Sequence, residues 1–259
     1  MIIWLSSYPK SGNTWLRALI TNYLFSDKKV FSNLNYIKKF PKKNFFKDLS
    51  EETNTGLQGL DLYKYFILSQ DRLNLNNEVN FLKTHSCCGT INNNKFTNKE
   101  NTLGFIYIVR DPRSVAISYA HHSNISYDRS TEIITNENNV VIDKDKVLTA
   151  RSSWKTNYLS WIKSPYPRII IKYEDLHKDT FLNFKKILFF INKFMKIEID
   201  ENKIYENIEK CSFNNLKHEE ENFGFSEKWG NDNFFRKGLV DEWKSKLSVK
   251  SIKLIEDKF

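Results

Sequence analysis

Four short runs of apolar, β-branched or aromatic residues recur along the chain, and each is followed by turn residues or by a helical pattern. They are Ile2 to Leu5, Phe81 to Lys83, Phe105 to Val109 and Ile169 to Tyr173. Runs without polar alternation are typical of strands buried on both faces of a parallel sheet. Strands that alternate with helices predict an α/β fold, with a parallel central sheet between layers of helices. We expect one three-layer domain over residues 1–259, because no repeat or low-complexity linker interrupts the chain.

The strand-to-helix junctions carry residues that begin helices. Behind the first strand, the turn from Ser6 to Asn13 leads into apolar residues at helical spacing, which are Leu16, Leu19, Ile20, Tyr23 and Leu24. Asp111-Pro112 follows the third strand and supplies a capping side chain and a proline suited to the first helical position. Asp179 or Thr180 opens the helix after the fourth strand. Residues 30–80, 123–149 and 213–238 fit this pattern less well, and such long connections tend to build the binding site.

Composition excludes several classes of protein. With 259 residues, of which 40% are apolar, the chain has enough material for a core. No apolar run approaches the roughly 20 residues of a membrane-spanning helix. The N-terminus lacks the pattern of a secretory signal, and three cysteines are too few for a disulfide framework, so we expect a cytoplasmic protein. The formal charge of +9 favours an anionic partner, but leaves nucleic acid, a phosphorylated nucleotide, an acidic glycan and a membrane surface open.

The sharpest motif lies between the first strand and its helix, and reads Tyr8-Pro9-Lys10-Ser11-Gly12-Asn13-Thr14-Trp15. A helix N-terminus binds anions, because its first amide groups lack partners within the helix and the helix dipole is positive there. Lys10 adds a charge, Ser11 and Thr14 add hydroxyl donors, and Gly12 lets the backbone approach closely. The motif predicts a phosphate site in a P-loop-like strand–loop–helix, although Lys10 precedes the glycine instead of following it as in a Walker A loop. The alternative is an ordinary turn marked by proline and glycine.

This motif resembles the 5′-phosphosulfate loop of the PAPS-dependent sulfotransferases, which move a sulfuryl group from 3′-phosphoadenosine 5′-phosphosulfate (PAPS) to a hydroxyl or an amine. The resemblance continues in chain order through Lys83-Thr84-His85, Ile108 to Tyr119, Tyr173 to Leu176, and Phe235 to Gly238 with Trp243-Lys244. Together these segments span most of the chain. The resemblance implies a single sulfotransferase domain of the cytosolic type, with PAPS as co-substrate and no metal.

The resemblance implies three catalytic residues, His85, Lys10 and Lys83. Sulfuryl transfer needs an in-line nucleophile and a stabilised leaving oxygen, so positioning and electrostatics should dominate. Lys10 is expected to neutralise charge that builds on the leaving phosphate oxygen. Lys83 and His85 share one face of the second strand, where Lys83 would steady the sulfuryl oxygens and a neutral His85 would accept the acceptor's proton. A histidine alone at a strand end is more often structural.

The resemblance also implies the residues that bind PAPS. The loop would hold the 5′-phosphate, Arg110 and Ser118 the 3′-phosphate, and the segment from Arg236 to Gly238 would form a second clamp on the 3′-phosphate. Arginine suits a phosphate because its planar fork gives two parallel charge-assisted bonds. Trp15 and Phe213 match positions that sandwich adenine, and Tyr173 matches a position that contacts the same region. The expected set is Lys10, Ser11, Gly12, Asn13, Thr14, Trp15, Arg110, Ser118, Tyr173, Phe213, Arg236, Lys237 and Gly238.

Two residue pairs invite another interpretation. Cys87-Cys88 stands where Leu-Pro is typical of the family. Adjacent cysteines without a matching His or Cys cluster make a poor metal site, so we expect small apolar residues that line the acceptor cavity. His121 and His122 have no ligand spacing, and we expect a structural or acceptor-side role for them. No metal is predicted.

Two other functions are weighed against a sulfotransferase. A nucleotide-dependent kinase of related fold is disfavoured, because the Walker A order and a convincing strand-end Asp for Mg²⁺ are missing. A basic nucleic-acid-binding module is disfavoured, because the sequence has no helix-turn-helix, RNA-recognition or zinc-finger signature. We therefore expect no nucleic-acid partner. The acceptor is left open among a small molecule, a glycan and a lipid, and the oligomeric state is not predicted.

Overall fold

The structure, a computed structural model, describes residues 1–25, 29–54, 56–225, 227 and 233–259. Contacts divide the chain into two units. The sheet unit comprises Met1–Tyr8, Ile37–Tyr107 and Asn136–Ile170. The helical unit comprises Pro9–Tyr36, Ile108–Thr135 and Ile171–Phe259.

The strands form a five-stranded parallel sheet and two small antiparallel pairs. They are β1 (Ile2–Ser6), β2 (Lys38–Lys39), β3 (Asn80–Thr84), β4 (Thr90–Ile91), β5 (Asn94–Lys95), β6 (Thr102–Val109), β7 (Val140–Ile142), β8 (Leu148–Ala150) and β9 (Arg168–Lys172). The central order is β2-β3-β1-β6-β9, whereas β4 pairs with β5 and β7 with β8. The predicted α/β fold with a parallel sheet is confirmed.

The four predicted runs each coincide with a strand of the central sheet, with small differences at the ends. Tyr173 was expected to end the last strand, but β9 ends at Lys172 and Tyr173 begins a helix. Glu174 and Asp175 follow in the first turn of that helix, where acidic side chains are favourable. The fifth strand, β2, contains two lysines and no apolar run, so periodicity does not reveal it.

The helices are α1 (Asn13–Leu24), α2 (Val30–Asn33), α3 (Glu51–Asn54), α4 (Phe66–Asn74), α5 (Pro112–Ser123), α6 (Tyr127–Thr135), α7 (Trp154–Ile162), α8 (Tyr173–Lys178), α9 (Thr180–Asn192), α10 (Glu201–Lys210), α11 (Phe213–Phe223), α12 (Trp243–Lys246) and α13 (Val249–Lys258). Single 3-10 turns lie at Leu34–Tyr36 and Lys43–Phe45, and a longer one at Leu60–Tyr65. The predicted caps are confirmed. Asp111 accepts a hydrogen bond from the amide of Arg113 with Pro112 at the first position of α5, and Asp179 accepts from the amide of Leu182 at the start of α9.

Aromatic side chains form the core of the sheet unit. Trp4 on β1 is fully buried, and its ring centroid lies 5.0 Å from that of Phe96 and 5.5 Å from that of Phe40. Its indole nitrogen donates to the hydroxyl of Thr102, so the one polar atom of this side chain is satisfied. This packing fixes β1 in the middle of the sheet, and with it the start of the loop that follows β1. Among the described residues, no helix is long and apolar enough to cross a membrane.

Candidate active site

The loop between β1 and α1 has a backbone conformation that requires its glycine. Gly12 has a φ of 97°, in the left-handed region that side chains disfavour. A Cβ at Gly12 would lie 2.5 Å from Cδ2 of Tyr173, a residue at the start of α8. Lys10 also has a positive φ, 66°. The local sequence therefore forms a tight loop against which the Tyr173 ring packs.

This loop leaves polar groups available for an anion. Gly12 is the N-cap residue of α1, and no side chain caps the amide groups of the first turn of this helix. The hydroxyl of Ser11 is buried and makes no hydrogen bond with the part of the chain that the structure describes. A buried hydroxyl of this kind costs free energy unless a ligand or water supplies a partner. The loop thus has the donors of a phosphate site.

Arg110 joins the loop to the segment after Gly238. Its side chain is buried, and it donates to the carbonyl of Lys10 at 3.1 Å and to the carbonyl of Leu239 at 2.8 Å. The guanidinium carbon lies 4.3 Å from the centroid of the Tyr173 ring. Burial lowers the pKa of Arg110, but from so high a value that the group stays charged. Arg110 therefore brings a fixed positive charge beside the loop.

The expected second clamp, Arg236 to Gly238, is paired with an acidic residue. Glu242 accepts from the guanidinium of Arg236 and from Nζ of Lys237, the latter at 3.1 Å. Hydrogen bonds with Arg236 lower the pKa of Glu242 to about 2. Gly238 has a φ of 66°, and a Cβ there would lie 2.9 Å from Cδ2 of Phe213. The sequence alone does not single out Glu242, which lies five positions after Lys237 and belongs to no motif.

A second acidic residue that the sequence did not reveal holds the segment before the clamp. Glu220 on α11 is buried, and its carboxylate accepts from the amides of Phe234 at 2.6 Å and Phe235 at 2.9 Å. Nζ of Lys10 lies 3.8 Å from the centroid of the Phe234 ring. Glu220 therefore fixes the aromatic ring that lies against Lys10.

One pocket of the helical unit is lined in part by residues that we expect to bind PAPS. It is lined by Lys10, Ser118, His121, His122, Asn233, Phe234 and Arg236. Three of these residues come from the expected set, on three separate segments of the chain. The Tyr127 hydroxyl and Nε2 of His121 lie 3.1 Å apart and share a hydrogen bond. Lys10 and Arg236, one from each segment that is expected to bind a phosphate, therefore both place positive charge at this pocket.

The expected adenine-binding aromatics also lie in the helical unit. The indole nitrogen of Trp15 donates to the carbonyl of Cys211 at 3.0 Å, and its ring meets Tyr173 edge to face at 5.8 Å. Phe213 begins α11 and packs edge to face against Phe235. The hydrogen bond explains why a tryptophan suits position 15, because the bond fixes the ring plane beside the loop.

His85 and Lys83 lie in the sheet unit. Lys83 is buried on β3, and the partly buried His85 follows this strand. Nδ1 of His85 lies 2.9 Å from the carbonyl oxygen of Ser7, which only accepts, and 3.2 Å from the hydroxyl of Ser7, which can also accept. We therefore assign the proton to Nδ1, which leaves Nε2 as the basic nitrogen. Burial, and then the charge of Lys83, lowers the pKa of His85 well below 6.5. His85 is therefore a neutral imidazole at neutral pH.

The family to which the chain belongs follows from comparison with known proteins. The profile described as "Sulfotransferase domain" matches residues 2–259. The chain belongs to the sulfotransferase domain family. It is a sulfotransferase enzyme with PAPS as co-substrate.

Characterised relatives of this sulfotransferase are distant. The chain is 26% identical to luciferin sulfotransferase of Photinus pyralis over 82% of its own length, and spans 56% of the length of that relative. It is 26% identical to cytosolic sulfotransferase 15 of Arabidopsis thaliana, over 98% of the chain and 70% of that protein.

Solved structures share the fold. A mouse sulfotransferase complexed with PAP, the desulfated nucleotide, has a TM-score of 0.65 at 21% sequence identity. The match covers 99% of this chain and 82% of the mouse chain. Retinol dehydratase in complex with androsterone and PAP has a TM-score of 0.56 at 19% identity, over 99% of the chain and 78% of its own. These likenesses support the architecture.

The residues of the helical unit fit a doubly phosphorylated nucleotide. The buried Ser11 hydroxyl and the uncapped start of α1 are donors for one phosphate. Arg110 and Arg236 are the cations suited to the other. Aromatic rings from Trp15 and Phe213 suit a purine. The hydrogen-bond donors, the cations and the aromatic rings of the helical unit therefore match the chemical groups of PAPS.

An amide that the sequence did not single out holds the main chain of His85. Asn157 on α7 is fully buried and donates to the carbonyls of His85 at 3.0 Å and Arg151 at 2.9 Å. Its own oxygen accepts from the hydroxyl of Tyr107 at 2.9 Å. No motif surrounds Asn157 in the sequence, so only the fold reveals it.

The two adjacent cysteines are inert groups in the sheet unit. Burial raises the pKa of Cys87 and that of Cys88 to about 12 in each case, so both thiols stay protonated at neutral pH. A thiolate is the form that binds metals and attacks electrophiles. Within the described ranges, no group of three or more His, Cys, Asp or Glu side chains is placed to hold a metal ion.

Proposed function

We propose that the sulfotransferase uses His85 as its general base, with Lys10 and Lys83 as electrophilic groups. The acceptor oxygen forms a bond to sulfur while the bond from sulfur to the 5′-phosphate oxygen breaks. Nε2 of His85 takes the proton of the acceptor hydroxyl, and the electron pair of the broken bond stays on the phosphate oxygen beside Lys10. The hydrogen bond from Nδ1 to the carbonyl of Ser7 carries this proposal, because it leaves Nε2 as the basic nitrogen.

The proposed donor site comprises the expected residues of the helical unit. Lys10, Ser11, Gly12, Asn13 and Thr14 bind the 5′-phosphate. The 3′-phosphate and the adenine are held by the others, which are Trp15, Arg110, Ser118, Tyr173, Phe213, Arg236, Lys237 and Gly238. Support comes from the pocket that unites Lys10, Ser118 and Arg236, and from the uncapped start of α1.

We further propose that the chain acts as a single sulfotransferase domain on a small-molecule acceptor in the cytoplasm. One family profile extends over residues 2–259, which supports a single domain. Retinol dehydratase has been solved with the small molecules retinol and androsterone, and Arabidopsis relatives are named cytosolic sulfotransferases. These relatives support the acceptor class and the compartment.

Substitution of His85 tests the base. His85→Asn keeps a donor that can bond to Ser7 but removes Nε2, and we expect turnover to fall about a hundredfold or more, the usual scale for a general base. PAP affinity, measured by calorimetry, should be retained. His218→Gln is the matched control, because this exposed histidine lies on α11 in the other unit. Near-normal turnover of His85→Asn would remove His85 from the mechanism.

Substitution of Lys10 tests the donor site. Lys10→Ala should reduce both turnover and the affinity for PAP. In the proposed mechanism the same side chain binds the 5′-phosphate and stabilises the negative charge on the leaving phosphate oxygen. Unchanged PAP affinity would count against the loop as the phosphate site. Both assays run in the presence of a chelator, since a kinase would stop without Mg²⁺ whereas the proposed reaction needs no metal.

A further inference from the structure

One face of α7 makes hydrogen bonds to the main chain of residues 85–88, the segment that begins with the proposed base. Three side chains of this face, which we call the α7 clamp, lie at helical spacing and are Asn157, Ser160 and Trp161. The indole nitrogen of Trp161 donates to the carbonyl of Ser86 at 2.9 Å. The hydroxyl of Ser160 accepts from the amide of Cys88 at 3.0 Å. The clamp therefore holds several main-chain groups of one short segment.

Asn157 is the member of the clamp that contacts His85. Its Nδ2 donates to the carbonyl of His85 at 3.0 Å and to that of Arg151 at 2.9 Å, and its Oδ1 accepts from the hydroxyl of Tyr107 at 2.9 Å. Carbonyl groups only accept, so these bonds fix which end of the amide is the nitrogen. Asn157 is fully buried. The amide is therefore held in a single orientation.

The segment depends on such contacts because it lacks regular structure. Residues 85–88 follow the end of β3 and belong to no strand or helix. The amide of Cys87 donates to the carbonyl of Ala150 at 2.7 Å, and the α7 clamp provides the bonds described above. No ladder of backbone hydrogen bonds fixes the conformation here. Contacts with α7 and β8 therefore determine where the main chain of His85 lies.

The α7 clamp is itself anchored in the aromatic core of the sheet unit. The ring of Trp161 is fully buried, and its centroid lies 5.1 Å from that of Phe105 and 5.7 Å from that of Phe96. Close-packed interiors resist displacement, so α7 cannot shift without repacking these rings. The clamp therefore connects residues 85–88 to a rigid part of the molecule.

The ring and the main chain of His85 are held by different partners. The carbonyl of Ser7 accepts from Nδ1 at 2.9 Å and orients the ring, whereas Asn157 holds the main chain. The side chain turns about two bonds, so the position of Nε2 is set only when both the ring and the main chain are held. A general base must lie within hydrogen-bond distance of its proton, and a misplacement of about 1 Å can lower a rate about a hundredfold.

We propose that Asn157 is a positioning residue for sulfuryl transfer, which holds the main chain of His85 so that Nε2 meets the hydroxyl of the acceptor. The inference rests on the proposed function, in which His85 is the base. Asn157 itself contacts neither substrate and acts only through His85. Its loss should therefore lower kcat and leave the binding of PAPS unchanged, because the proposed PAPS-binding residues lie in the helical unit.

Asn157→Leu tests the proposal, because leucine has a similar volume but donates no hydrogen bond. With PAPS and 2-naphthol as the acceptor probe, we expect kcat to fall about tenfold or more, but no further than in His85→Asn. The KM for PAPS and the affinity for PAP, measured by calorimetry, should be retained. Asn183→Leu is the matched control, because this buried amide on α9 also donates to two main-chain carbonyls, at 2.9 Å each. It should lower the thermal stability and keep kcat.

A double variant distinguishes positioning from general structural support. If Asn157 acts only through His85, adding Asn157→Leu to His85→Asn should cause no further loss of turnover. A further loss of about tenfold in the double variant would overturn the inference, because independent effects multiply. If the leucine variant does not fold, Asn157→Ser takes its place in both backgrounds, since its smaller side chain leaves room for a water that can donate to the carbonyls. The same pattern is expected.

Nitrogen NMR of the imidazoles gives a second readout that needs no acceptor. The signals of His85 are assigned by their absence in His85→Asn, and they should report a ring protonated at Nδ1 in the unmodified chain. In Asn157→Leu we expect them to shift toward an average of the two tautomers, and unchanged signals would overturn the inference. Normal kcat of Asn157→Leu beside an impaired His85→Asn would refute the inference alone. Near-normal turnover of His85→Asn would refute the proposed base and the inference together.

Discussion

Replacement of Gly12 by alanine tests the geometry of the phosphate loop directly. The methyl group would lie 2.5 Å from Cδ2 and 2.9 Å from Cε2 of Tyr173, distances that require one of the two segments to move. The Tyr173 ring has little room to yield, because the guanidinium of Arg110 lies 4.3 Å from its centroid. The variant therefore disturbs the loop and the cation beside it together.

The expected loss of stability has two sources. A residue with a Cβ in the left-handed region costs about 1–2 kcal/mol, and forced overpacking costs about 1–3 kcal/mol. We expect the free energy of unfolding to fall by about 3 kcal/mol. At about 2–4 °C per kcal/mol for a chain of this size, the midpoint of thermal unfolding should fall by about 6–12 °C. PAP affinity should fall at least tenfold, because the amides of the loop are displaced.

Gly56→Ala separates the two sources. Gly56 has a φ of 102°, close to that of Gly12, but a Cβ there would meet no atom of the described residues within 4 Å, its chain neighbours aside. This control should lose only the backbone cost of about 1–2 kcal/mol and should bind PAP like the unmodified chain. Thermal unfolding with and without PAP measures both effects, since a ligand at 100 times its Kd adds about 2.7 kcal/mol to stability. If Gly12→Ala loses no more stability and no more PAP affinity than Gly56→Ala, the packing of Tyr173 on the loop is refuted.

Three further predictions follow from the pKa directions and the hydrogen bonds. The proposed base, His85, acts in its neutral form, and its pKa lies well below 6.5. We therefore expect kcat/KM to be flat from about pH 6.5 upward and to fall only at lower pH, and an acid limb centred above about pH 6.5 would contradict this. The pKa of Glu242 is about 2 in the folded chain against 4.5 unfolded, so its contribution is fully present above pH 4.5 and is lost as the pH falls through 2. Between about pH 5 and pH 2, the Glu242→Gln variant should therefore lose less stability than the unmodified chain. Acid titrations followed by circular dichroism measure this loss, and an equal loss in both proteins would contradict the ion pairs of Glu242 with Arg236 and Lys237. Trp15→Phe keeps an aromatic ring but loses the hydrogen bond to the carbonyl of Cys211. The free energy of unfolding, measured by denaturant titration, should fall by about 1 kcal/mol. An unchanged free energy of unfolding would refute the role of that bond.

The sequence predicts the sheet well because its strands are buried. Ile2 to Leu5 and Phe105 to Val109 are continuous apolar runs, and burial on both faces is the physical reason for such runs. β2 was not predicted, because its two lysines at the sheet edge form no apolar run that would distinguish the strand from a polar loop. The helix starts at Asp111 and Asp179 were predictable for a local reason, since a cap bonds to an amide only two or three residues away.

The candidate site was predictable only where its chemistry is local. The loop from Lys10 to Thr14 carries its donors in one stretch of chain, so sequence alone indicates a phosphate site. Asn157 and Glu220 act through hydrogen bonds across 72 and 14 positions of the chain, and no local pattern marks them. Residues of this kind are found only when the fold brings distant segments together.

The cations around His85 have opposite effects on the proton acceptor and on the proton donor of the proposed proton transfer. Their field lowers the pKa of the imidazole, which makes His85 a weaker base but keeps it unprotonated at neutral pH. The same field stabilises negative charge on an acceptor oxygen, so the hydroxyl gives up its proton more readily. A weaker base beside a more acidic hydroxyl can leave the transfer as favourable as before. The carbonyl of Ser7 then has a definite role, because its bond to Nδ1 favours the protonated ring and opposes the field of Lys83.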